Sequence, residues 1–290
     1  MHFLAVLLFP MLAHSVVPGD IVNLTTFTLQ TPYASGSTIE QIKWPALRHY
    51  NDSVFFAGEC PGNRNGCVVF FTPESGATTS GSNYPRSELR ENIDWQTPVA
   101  TSAETHWIAA SLRVLDGGPA DSICIGQIHF DGISGHCSIV VELEWTSGEV
   151  VAHVRDEACS NKNFVVGRAG LGQQFFYNLS MVGDAVQVVT SNGQMAPYHY
   201  SVSRALPLPS FVVWALPAPP SFIEFASALL LPNTSNSHSA PPPPMQWFAG
   251  KADGPPMYLK AGNYYQGSGS SKKGSVVEFA SIQTYHSTAQ

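Results

Sequence analysis

The sequence predicts an all-β protein: two packed antiparallel sheets forming a sandwich or jelly roll. Three observations lead there. Many segments alternate or run apolar over strand lengths, turn dipeptides punctuate them, and no helix-length stretch carries a competing 3.6-residue period. The composition agrees: of 290 residues, 24 are Gly, 22 are Pro and only 12% are charged. That suits short strands and turns better than long amphipathic helices.

In chain order, Met1 to Ser15 reads as a secretory signal, with an apolar run from Phe3 to Phe9 and a small-x-small site at Ala13-His14-Ser15. Pro10 interrupts a run already too short for a membrane span. Residues 16–290 then form one domain. The strand-like segments are Ile21–Leu29, Cys67–Thr72, Ser87–Ile93, His106–Leu115, Ser122–Phe130, Ser138–Trp145, Val150–Arg155, Gln174–Val182, Ala185–Ser191 and Ser275–Tyr285. Asp131-Gly132, Ser147-Gly148, Gly183-Asp184 and Asn192-Gly193 supply turns between them. One stretch departs from the pattern. Twelve of the 22 prolines lie between Pro207 and Pro256, and Ala205–Pro244 has no regular period. It reads as a Pro-rich insert, either a surface loop or a translated intron.

The net charge of −7, with no basic run, argues against a nucleic-acid binder. Export permits disulfides among the five cysteines. Cys60 and Cys67 flank a tight polar loop suited to a local bridge; Cys137–Cys159 is the second candidate, leaving Cys124 as a buried free thiol. Sequons at Asn23, Asn51, Asn178 and Asn233 fit glycosylation of a secreted chain.

Three segments carry chemistry. In Tyr84-Pro85-Arg86-Ser87-Glu88-Leu89-Arg90-Glu91, a strand puts Arg86, Glu88 and Arg90 on one face. Glu88 between two arginines should stay ionised and brace their guanidinium forks. Taken alone, this is equally a salt-bridged solvated face. In Gly126-Gln127-Ile128-His129, Gln127 and His129 share one side, with Cys124, Ile128 and Phe130 on the other. A strand histidine is more often a packing residue than a catalyst. In Met257-Tyr258-Leu259-Lys260-Ala261-Gly262-Asn263-Tyr264-Tyr265-Gln266, Tyr258, Lys260 and Tyr264 alternate onto one face. Two tyrosines and a lysine fit a sugar-binding groove, or an ordinary aromatic edge strand.

Together, Arg-Ser-Glu-Leu-Arg, then Gln-Ile-His, then Tyr-Leu-Lys-Ala-Gly-Asn-Tyr-Tyr-Gln resembles the alginate lyases of polysaccharide lyase family 7. The resemblance extends from about Ile21 to Tyr285, apart from Ala205–Met257. It implies a concanavalin-like jelly roll with a concave substrate cleft. It also implies a secreted, monomeric lyase for a 1,4-linked uronic-acid polymer, alginate first and glucuronan as the alternative. Carried across, Arg86 and Gln127 neutralise the substrate carboxylate, and His129 and Tyr264 move protons. Glu88, Arg90, Lys260, Tyr258 and Gln266 belong to the substrate-binding set. Leu259 stands where the family has phenylalanine and is expected to face the core. Tyr265 replaces an asparagine and is expected to alter the groove wall.

The chemistry needs these residue types. The proton on C5 lies beside a carboxylate and is weakly acidic, so donors aimed at that carboxylate must stabilise the transition state. A base removes the proton and an acid protonates the departing O4. Tyrosine, with a reference pKa near ~10, is a poor base unless cationic neighbours, here Arg86, Lys260 and His129, favour its phenolate. No cofactor or metal is expected, since the histidines lack metal-ligand spacing. A glycoside hydrolase would need two flanking carboxylates, and these blocks supply no partner for Glu88. A lectin-like module is the non-enzyme alternative.

Overall fold

The computed structural model describes residues 16–96, 104–132, 138–155, 160–183, 185–191, 198–203, 255–267 and 273–287. The segment 1–15, the insert at 205–244, Cys137, Cys159 and Asn233 lie outside them. The described chain begins with a short helix, α1 (Pro18–Ile21), and a 3-10 turn spans Ala46–His49. The strands that follow are β1 (Phe27–Ser35), β2 (Thr38–Lys43), β3 (Phe55–Cys60), β4 (Asn63–Pro73) and β5 (Arg86–Glu91). Then come β6 (Thr105–Asp116), β7 (Ser122–Phe130), β8 (Ile139–Thr146), β9 (Glu149–Arg155) and β10 (Asn161–Arg168). The last are β11 (Phe175–Val182), β12 (Ala185–Ser191), β13 (Tyr198–Ser203), β14 (Met257–Tyr265) and β15 (Gly274–His286).

These strands build two antiparallel sheets. One has eight strands in the order β10-β9-β8-β7-β14-β5-β1-β2, the other seven in the order β13-β12-β11-β6-β15-β4-β3. Period-two alternation dictates the layering. Leu89, Leu259, Ala261, Val141, Leu143 and Trp145 of the larger sheet join Ile108, Leu112, Tyr177, Leu179, Val277 and Phe279 of the smaller in one core. Leu259 is fully buried there, as its parity requires; truncating such a side chain to alanine costs about 2–5 kcal/mol.

Apart from the central β14, read from its motif alone, the strands that the sequence pattern did not flag, β2, β3, β10 and β13, are the four sheet edges. An edge strand has one neighbour and half a burial requirement, so polar runs such as Asn161-Lys162-Asn163 satisfy it. The expected strand at Ile21–Leu29 starts instead at Phe27. Pro18 presets the first turn of α1, and the Asp20 carboxylate accepts the Val17 N–H at 3.2 Å. Cys60 and Cys67 form the expected disulfide, and Cys124 is free and buried. The sequon at Asn178 lies inside β11 and is buried, whereas Asn23 and Asn51 are exposed.

Two glycines shape the centre of the larger sheet. The β7–β8 register slips between Cys124 and Gly126, making a bulge. The core residue Tyr177 donates its hydroxyl to the Ile125 carbonyl there at 2.9 Å. A Cβ on Gly126 would stand 2.7 Å from that hydroxyl. In β14, Gly262 has φ +151°, and a Cβ would stand 2.7 Å from the Glu88 Cα. Without one, β14 closes onto β5 at Glu88. Asn263 then staples β14 to the second sheet: its amide donates to the Phe70 and Ser275 carbonyls, and Ser275 donates back to its Oδ1 at 2.7 Å.

Candidate active site

The face of the larger sheet turned away from the core carries the three sequence blocks side by side. β14 runs between β7 and β5, so Tyr258 lies opposite His129, and Lys260 lies between Gln127 and Arg90. Tyr264 lies between Cys124 and Arg86. Although they point away from the core, Arg86, Gln127 and Lys260 are each at most 6% exposed. They form a recessed polar floor.

Glu88 organises this floor. Its Oε2 accepts from Arg86 Nη1 at 2.9 Å and from Lys260 Nζ at 2.8 Å, and its Oε1 from Gln127 Nε2 at 2.5 Å. Burial alone would raise its pKa, but Lys260 and Arg86 overcome that and hold it below the usual carboxylate range. Glu88 has no exposed surface and braces Arg86, Gln127 and Lys260 from within the floor. The second cation on Glu88 is therefore Lys260, and not Arg90 as strand parity suggested. Arg90 turns away to Asp131 at 2.9 Å and Asp94 at 3.8 Å, with its guanidinium 4.1 Å over the Tyr258 ring. Lys260 is driven down to about 8 by its burial and by Arg86, with Glu88 opposing.

His129 Nδ1 lies 3.0 Å from the Phe130 carbonyl and 3.1 Å from the Tyr258 hydroxyl. A carbonyl only accepts, so this contact assigns the proton to Nδ1 and leaves the lone pair on Nε2, which faces Ser138 Oγ at 3.4 Å. Burial and the charge of Lys260 lower the imidazole pKa to about 3, so the ring is neutral. Burial raises Tyr258 to about 12.

Tyr264 sits under Arg86, whose guanidinium is 4.0 Å from the ring centroid, and its hydroxyl is 2.9 Å from Ser82 Oγ. Burial raises its pKa, and Arg86 and Ser82 only partly offset this. The resting group is a neutral phenol, and of the cations named from the sequence Arg86 favours the phenolate without offsetting burial. The charges of Arg86 and Glu88 act on both His129 and Tyr264.

Two further placements, those of Cys124 and Tyr265, differ from the sequence reading. Cys124 does not share the core side with Ile128 and Phe130. The bulge before Gly126 reverses parity, and the thiol lies on the polar floor, its pKa raised by burial and by Glu142, Glu88 and Glu144. Tyr265 is not a groove wall: odd parity turns it inward, where its hydroxyl accepts the Ala120 N–H at 2.9 Å. Gln266 lies just past β14, its backbone N–H donating to the Ser122 carbonyl at 3.0 Å.

Sequence reasoning also passed over Glu142, opposite Gln127 on β8, and Glu144, opposite Cys124. Their signal was present in Val141-Glu142-Leu143-Glu144-Trp145, two acids at alternate positions on the strand following Gln-Ile-His. Among the described residues, no cluster of His, Cys, Asp and Glu has a metal-holding arrangement.

A family model described as alginate lyase matches residues 22–286. The structure is similar to the alginate lyase from Klebsiella pneumoniae at 18% identity and a TM-score of 0.66, covering 94% of this chain and 99% of that one. It is similar to an alginate lyase from Pseudomonas aeruginosa at 22% identity and TM-score 0.63, covering 91% and 100%. A family 7 alginate lyase, A1-II′, solved with product, aligns at 20% identity and TM-score 0.64, covering 94% and 100%. Among curated proteins, no sequence matches the chain.

Proposed function

The chain belongs to the alginate lyase family, whose model spans residues 22–286, and on that premise we propose that it cuts alginate by β-elimination on the polar floor of the larger sheet. The observation that carries this reading is the Glu88 brace. It presents Arg86, Gln127 and Lys260 together beside His129 and Tyr264. Arg86 and Gln127 hold the uronate carboxylate and stabilise the charge that grows on it as C5 loses its proton. Lys260 and Arg90 extend the positive surface to neighbouring uronates.

The resting protonation states favour one route. Neutral His129, with its lone pair on Nε2, takes the C5 proton. Neutral Tyr264 donates its phenolic proton to O4 as the C4–O4 bond breaks and the C4–C5 double bond forms. No prior ionisation is needed. Base and acid on separate residues suit guluronate, in which H5 and O4 leave from opposite sides. In mannuronate or glucuronate the two lie on one side, and Tyr264 would first have to lose its proton. The proposal therefore favours guluronate-containing alginate over polymannuronate and glucuronan.

The Cys60–Cys67 disulfide and the apolar run at Phe3–Phe9 support action outside the cell. The test is incubation of the purified protein with polyguluronate, polymannuronate and glucuronan, following the ultraviolet absorbance of the unsaturated product. Fastest release from polyguluronate is expected. Sugar binding with no unsaturated product from any polymer would replace the enzyme with a lectin.

A further inference from the structure

Strand β8 extends the polar floor beyond Gln127. Its odd residues Val141, Leu143 and Trp145 enter the core, so Glu142 and Glu144 emerge on the side of the catalytic groups. Glu142 lies opposite Gln127 on one side and His153 on the other. Neighbours so paired on one sheet face hold their Cβ atoms about 4.5–5.5 Å apart. A uronate carboxylate held by Gln127 would therefore lie within reach of the Glu142 carboxyl.

The groups facing Glu142 come from four other strands. From β9, Arg155 Nη2 reaches its Oε2 at 3.4 Å, a long contact, while His153 is drawn to Glu144 at 3.2 Å. Glu144 lies two residues along β8. From β7 come Gln127 and the Cys124 thiol, from β5 Glu88, and from β14 Tyr264, whose pKa the charge of Glu142 helps to raise. Glu142 is only 8% exposed. Burial first, then the charge of Glu144, raise its carboxyl above the usual range, with Arg155 opposing. Donors around the substrate carboxylate are partly committed, since Gln127 and Lys260 both donate to Glu88.

We propose that Glu142 is a further substrate-binding residue that makes uronate binding pH-dependent. As a carboxylic acid it donates a hydrogen bond to the carboxylate held by Gln127, and as a carboxylate it repels that group. This rests on the lyase reading for the identity of the ligand. It adds a contact and a regulation that the three sequence blocks do not contain.

The experiment separates binding from turnover. In a Tyr264→Phe background, the Kd of an alginate tetrasaccharide is measured by calorimetry from pH 5 to 7, below the range in which Lys260 loses its proton, at fixed ionic strength, with and without Glu142→Gln or Glu142→Ala. With Glu142 present, Kd rises by roughly tenfold across the range, about what one unit charge near another is worth at an effective dielectric between protein and water. Glu142→Gln is uncharged and keeps a donor, so its Kd stays flat and lies below that of the unaltered site at pH 7. Glu142→Ala is also flat but binds more weakly than the unaltered site at pH 5, because the donor is gone. A Glu142→Gln protein whose Kd rises with pH as before, or whose Kd is weaker at pH 7, overturns the proposal. Failure of the Tyr264-containing protein to release unsaturated product would count against the lyase reading instead, while the pH profile of binding would still decide the role of Glu142.

Discussion

The Lys260 ammonium meets the Glu88 carboxylate at 2.8 Å, and both side chains are almost completely sealed from solvent. Arg86 shares the same oxygen, so two cations and one amide depend on a single buried anion. Removing one partner of such a cluster leaves uncompensated buried charge, at a cost of about 3–5 kcal/mol. Glu88→Ala is expected to lose stability on that scale in urea denaturation, and Glu88→Gln less, because it keeps a hydrogen-bond acceptor. A loss in Glu88→Ala no larger than about 1 kcal/mol, the worth of an exposed pair, would mean that Glu88 does not hold the floor together.

His129 is held neutral, with a pKa of about 3. It remains a competent base well below the ordinary histidine range, so kcat on polyguluronate should hold steady as pH falls from 7 to 5. Rates from pH 4.5 to 8 at saturating substrate check this. A kcat that declines tenfold per unit below about 6.5, the reference histidine value, would place an ordinary titrating imidazole at the reaction centre.

A second histidine cluster lies far from the catalytic chemistry in sequence. His106 stacks on Trp95 at 4.0 Å, shares a 3.0 Å Nδ1–Nδ1 contact with His286, and His286 reaches the buried Glu91 at 2.9 Å. Burial, then His286, lower the His106 pKa to about 4. A histidine whose folded pKa is depressed is protonated more readily when unfolded. Its contribution is therefore complete above about pH 6.5 and is lost as pH falls toward about 4. The urea midpoint should fall between pH 7 and 4.5, and by less in His106→Phe, which keeps a ring against Trp95. An equal fall in both proteins would remove His106 from the acid response.

The sequence made the centre of each sheet legible and left the edges dark. Strands β7 and β12 have the bounds read from alternation, because residues with neighbours on both sides must obey the two-residue period. Edge strands β2 and β10 need not, and were missed. The polar side of β5 and β14 was legible for the same reason: Leu89 and Leu259 are core, so Arg86, Glu88, Lys260 and Tyr264 must face away. Parity failed at Cys124, where a bulge held open by Gly126 and tied by Tyr177 reverses the faces, and no local pattern announces a contact from 52 residues away. Arg90 was misassigned because its partner Asp131 comes from another strand's end. Glu142 was passed over because its burial depends on β7 and β9 together.

The proposed proton carriers separate by substrate. His129→Asn removes the base while keeping a polar side chain, and should slow polyguluronate cleavage by about 10²–10⁴-fold, the usual worth of a positioned acid or base. Cleavage of polymannuronate or glucuronan, where Tyr264 alone can serve, should suffer less. Equal losses on every polymer would make His129 structural.

The most direct measurement is turnover of Tyr264→Phe beside the unaltered protein on polyguluronate, read by absorbance of the unsaturated uronate end. The ring still packs beneath Arg86, and only the hydroxyl near Ser82 is lost. The account predicts a fall in kcat of about 10²-fold or more, with little change in substrate affinity. Near-parental turnover in Tyr264→Phe would contradict it.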